Sequence, residues 1–84
     1  MEMDRKQKLT LDQPVTYQIR VPGQLDESWA RLGWEVVIRV ETRAGDLPVT
    51  TLTGDFDQSA LQGLLRRLYS MGLPLISVNW IELC

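Results

Sequence analysis

Histidine is absent from the 84 residues, and that gap closes several chemistries. Without imidazole the chain lacks the commonest general base, the side chain that changes charge near neutrality, and the commonest metal ligand. Ser-His, Cys-His and His–metal constellations cannot be assembled within one chain. Cysteine is almost as scarce. The single Cys84 excludes an intramolecular disulfide and a four-cysteine zinc cluster, and the expectation for it is an inert thiol. No cofactor or metal is expected.

Lysine is confined to Lys6 and Lys8, and the formal net charge is −2. From Pro14 onward six arginines face eight carboxylates, so the folded part is the acidic part. Nucleic-acid binders usually carry a basic domain, so no nucleic-acid partner is expected. The start is polar rather than an apolar run behind a basic cap, and no apolar stretch approaches the length of a membrane span. The expectation is a soluble cytoplasmic protein with no membrane partner. A chain of this length buries one small core, which rules out two domains and a deep interdomain cleft.

Residues 1–13 are mostly polar without sustained periodicity and read as a flexible tail, leaving a single domain over 14–84. Val15, Tyr17, Ile19 and Val21 alternate with Thr16, Gln18 and Arg20, the period of a strand with one buried face. Leu25, Trp29 and Leu32 fall at i, i+4 and i+7, the stripe of a short helix capped by Asp26 and ended by Gly33. Trp34, Val36, Ile38 and Val40 alternate with Glu35, Val37, Arg39 and Glu41 in a second strand. Ala44-Gly45-Asp46 is a turn, and Val49 to Thr53 is a third strand closed by Gly54 and Asp55. Leu61, Leu64, Leu65, Leu68 and Met71 share one face of a second helix, with Asp57 as its cap and Gly72 at its end. Ile76, Val78 and Trp80 mark a fourth strand.

Strand, helix, strand, strand, helix, strand predicts a ferredoxin-like βαββαβ sandwich of the α+β class. Two helices would cover one face of a four-stranded antiparallel sheet with strands one and three central. Trp29, Trp34 and Leu65 are the expected core anchors.

The polar motifs read as structural. Asp55-Phe56-Asp57 opens like a calcium loop, but an EF-hand needs Gly and Glu where Ala60 and Arg66 stand. Glu35, Arg39 and Glu41 share a strand face as solvated ion pairs. Arg66 and Arg67 point in different directions and reach water. Tyr17 falls on the helix-covered side, where it cannot stack a base.

Two resemblances add to this. Pro22-Gly23-Gln24-Leu25 resembles the Pro-Gly-Leu-like loop of ACT domains, departing from it by the inserted Gln24. That resemblance implies a small effector bound by backbone amides around Gly23. More broadly, the chain resembles a set of small uncharacterised bacterial proteins. The resemblance is carried by Tyr17 to Val21, Gly23 to Asp26 with Trp29, Thr51 to Gly54, Asp57 to Leu65 and Gly72 to Val78. It implies no activity.

The functional expectation is a non-catalytic interaction or regulatory module, with the effector loop as the alternative. The sheet face bare of helices would carry Gln18, Arg20, Val37, Arg39, Thr51, Thr53 and Ile81. That β-branched, mixed-charge surface is expected to form a homodimer, since one patch can meet itself across a two-fold axis. A protein partner could use the same face.

Overall fold

A computed structural model describes residues 9–25, 36–42 and 44–82. Five elements lie within them: β1 (Val15–Pro22), β2 (Val36–Glu41), β3 (Val49–Phe56), α1 (Gln58–Ser70) and β4 (Ser77–Trp80). The strands form one antiparallel sheet in the order β2-β3-β1-β4, with β1 and β3 central.

Strict alternation in β1 decides which face is buried. Val15, Tyr17, Ile19 and Val21 are buried, and across the ladder so are Thr50, Leu52 and Phe56. Helix α1 closes the core from that side with Leu61, Leu64 and Leu68. Its start is fixed by Asp57, whose carboxylate accepts from the Ala60 N–H at 2.8 Å. Phe56, just before the cap, and Leu61 both join the core in the positions of a hydrophobic staple. Its end is a Schellman motif. The Gly72 N–H donates to the Tyr69 carbonyl and the Leu73 N–H to the Leu68 carbonyl, with Gly72 at φ +78°. Leu73 then packs on the core next to Leu68.

The expected two-helix layer is corrected: the described residues carry a single helix on a four-stranded antiparallel sheet, not a βαββαβ sandwich. The expected first helix, around Trp29 and Leu32, lies outside the described residues, as do Trp34 and Glu35. Its signal was three apolar residues over two turns, short of the length at which a helix sustains itself.

Three smaller corrections concern packing. Strand β3 does not close at Gly54 and Asp55 but runs on to Phe56, because β1 starts far enough back to pair Tyr17 with Gly54, Thr16 with Asp55 and Val15 with Phe56. The Thr16 hydroxyl donates to Asp55 Oδ1 at 2.6 Å and pins that end. Leu65 is only half-buried and Met71 is exposed; Leu65 lies on the flank of the helical stripe, and Met71 is the C-cap. The fourth strand does not take in Ile76: β4 begins at Ser77, Val78 packs on the core, and Ile76 just before the strand and Trp80 at its end are exposed. At the other end of the described chain, the Leu11 carbonyl accepts from the Gln58 N–H at 3.0 Å, joining the segment before β1 to the start of α1. Among the described residues no helix is long and apolar enough to cross a membrane.

Candidate interaction face

The alternation that buries Tyr17 and Ile19 sends Thr16, Gln18 and Arg20 to the opposite face of the sheet. Register then sets their neighbours. Arg20 and Arg39 both pair with Thr51 from opposite sides, and Arg20 pairs with Ser77 on β4. One row therefore reads Arg39, Thr51, Arg20, Ser77. The next reads Val37, Thr53, Gln18, Asn79.

Between these rows lies a shallow hollow of ≈ 460 Å³, lined by Gln18, Arg20, Val37, Arg39, Glu41, Thr51 and Thr53. Six of the seven residues expected at a dimer surface line it. The seventh, Ile81, sits beyond the end of β4, where its N–H donates to the Thr16 carbonyl at 2.8 Å. Glu41, which the sequence places on one strand face with Arg39 though not among the seven, lines the hollow as well. A second hollow of ≈ 560 Å³, lined by Arg20, Glu41, Gly45, Asp46, Leu47 and Val49, adjoins the first at Arg20 and Glu41.

Charge on this face is loosely held. Arg20 Nη2 lies 3.7 Å from Glu41 Oε1, with both side chains well exposed, a pair worth under about 1 kcal/mol. Among the described residues, Arg20 Nε and Ser77 Oγ are sealed from solvent yet have no hydrogen-bond partner. Each such orphan costs about 1–3 kcal/mol.

The loop from Pro22 to Leu25 stands apart from the hollow. Gly23, at φ +92°, donates its N–H to the Pro48 carbonyl at 2.8 Å. The buried Thr50 hydroxyl donates to the Gly23 carbonyl at 2.6 Å and accepts from the Leu25 N–H at 3.2 Å. Two of the loop's amides are thus spent inside the fold, and Gln24 projects as the exposed member. Among the described residues, no group of three or more acidic or cysteine side chains could hold a metal ion.

A family model for a domain of unknown function, DUF8691, matches residues 16–79. The chain belongs to this family. The match begins within β1 and ends within β4, so the family unit takes in all of the sheet but Val15 and Trp80, together with α1 and the hollow. No curated protein and no solved structure matches the chain.

Proposed function

We propose that this DUF8691 chain is a non-catalytic interaction module whose working surface is the open sheet face, and that it self-associates there. The observation that carries the reading is Val37. A β-branched residue 63% exposed at the mouth of a hollow framed by arginine and threonine is an anchor without a cover. Arg39 and Glu41 stand two residues apart on the same strand face, so a two-fold axis through β2 sets Arg39 of one copy against Glu41 of the other. The face is shallow and wet, a poor setting for tuning an acid or base but a good one for a flat contact.

The weaker reading is an effector site at Pro22, Gly23, Gln24 and Leu25, because amides that would hold the effector already serve the fold. The setting we propose is a bacterial cytoplasm, following the resemblance to small bacterial proteins; a chain with one cysteine needs no oxidising compartment.

Light scattering at micromolar concentration tests the reading. A mass about twice the 9.6 kDa of the chain is expected, falling to the monomer in Val37→Glu. A 9.6 kDa mass at all concentrations overturns self-association. A dimer that survives Val37→Glu moves the contact to the sheet edges.

A further inference from the structure

We infer that the row Arg39, Thr51, Arg20, Ser77 is a binding site for a small oxyanion, a carboxylate or a phosphate. The inference rests on the open face being the working surface but does not need the two-fold contact.

The argument is one of donor surplus. Two guanidinium groups carry five N–H donors each, and the hydroxyls of Thr51 and Ser77 add more. Against them the same part of the face offers Glu41, whose Oε1 is 3.7 Å from Arg20 Nη2, beyond a good hydrogen bond. Asp55, another carboxylate on this side of the sheet, already accepts from Thr16 at 2.6 Å. The surplus has a sharper form in Arg20 Nε and Ser77 Oγ, cross-strand neighbours that are both covered and both unpartnered. Among the described residues Arg20 is therefore held by weak contacts alone, and turning its guanidinium towards a ligand gives up little.

Geometry agrees. Arg20 and Arg39 flank Thr51 on neighbouring strands, so their Cα atoms stand about 10 Å apart, two strand spacings. Two long side chains converging over a threonine hydroxyl can close on a planar or tetrahedral anion from both sides, each with a bidentate fork. The ≈ 460 Å³ hollow, which Arg20, Arg39 and Thr51 line while Ser77 pairs with Arg20 beside it, falls within the range of small-ligand sites. A cation would meet two guanidinium groups there against the single carboxylate of Glu41.

The experiment is calorimetric titration of the full chain with inorganic phosphate and, separately, with succinate, in about 0.15 M sodium chloride to screen diffuse attraction. Saturable binding of at least one probe, tighter than about 1 mM, is expected, and which one binds names the source. Arg39→Gln and Arg20→Gln should each weaken it at least about tenfold, with unchanged circular dichroism. Arg67→Gln, on the far side of the molecule, should leave it unchanged. No saturable binding of either probe overturns the inference, as does equal binding by the Arg20 and Arg39 variants or a loss in Arg67→Gln. Light scattering of the same samples separates the two readings. Anion binding by a chain that stays at 9.6 kDa sinks self-association alone, and a dimer that binds neither probe sinks this site alone.

Discussion

Thr50 and Gly23 are joined by a 2.6 Å hydrogen bond from the threonine hydroxyl to the glycine carbonyl, partly buried at the end of the sheet. Thr50 is the one buried polar residue among those described, and it sits on the core face of β3 opposite Val21. Its oxygen also accepts from the Leu25 N–H. One side chain thus satisfies two backbone groups of the loop that leaves β1, which have no strand partner of their own.

Thr50→Val keeps the shape and removes both bonds. The Gly23 carbonyl and the Leu25 N–H are then left to find water or stay unpaired, and a loss of about 1–3 kcal/mol is expected. Urea denaturation measures it. A change within about 0.5 kcal/mol would mean that the loop rearranges freely and that the hydroxyl is not what anchors it.

The helix face makes a second prediction. Leu64 is fully buried between Leu61 and Leu68, whereas Leu65 only packs on the edge of the core. Leu64→Ala should therefore cost about 2–5 kcal/mol and Leu65→Ala distinctly less. Equal losses would place the centre of the stripe between the two residues and contradict the burial of Leu64.

The period-two pattern of β1 was enough to assign each of its side chains to a face, because a one-residue slip would bury Gln18 and Arg20 and expose Ile19. That is why the open-face residues were legible. Local caps were legible too, since Asp57 and Gly72 act on their own turns. What the sequence could not show is long-range. The end of β3 depends on where β1 begins, and the hollow depends on Arg39 and Arg20 meeting across Thr51 from strands far apart in the chain. Leu65 and Leu64 are neighbours with the same propensity, and only the angle at which α1 meets the sheet tells them apart. The orphaned Arg20 Nε and Ser77 Oγ have no sequence signature at all.

The two helix ends should respond independently. Asp57→Ala removes the acceptor for the Ala60 N–H and is expected to cost about 1 kcal/mol. Gly72→Ala forces a side chain into φ +78°, where the surrounding space is empty but the backbone conformation is strained, and should cost a similar amount. The two sites lie at opposite ends of α1, so the double variant should lose the sum within about 0.5 kcal/mol. A double variant no worse than either single one would show that the helix ends are not separate devices.

The segment before β1 gives the last test. Polar and without periodicity, it offers no apolar face, and Leu11 is 75% exposed. On that ground its removal should be nearly silent. Yet the Leu11 carbonyl accepts from the Gln58 N–H, one of the first-turn donors that no carbonyl within the helix can satisfy. Chain before Leu11 and chain through Leu11 are therefore not equivalent. Deleting residues 1–8 leaves that carbonyl in place and should leave the melting temperature unchanged. Deleting residues 1–11 hands the Gln58 donor to water, an exchange worth about 0.5–1 kcal/mol. In a domain of this size that corresponds to a fall of about 2–8 °C. Differential scanning calorimetry of the two truncations decides it. If both melt within about 1 °C of the full chain, the Leu11–Gln58 bond contributes nothing. If the shorter deletion already lowers the transition by more than that, residues ahead of Leu9 support the fold by a contact of their own.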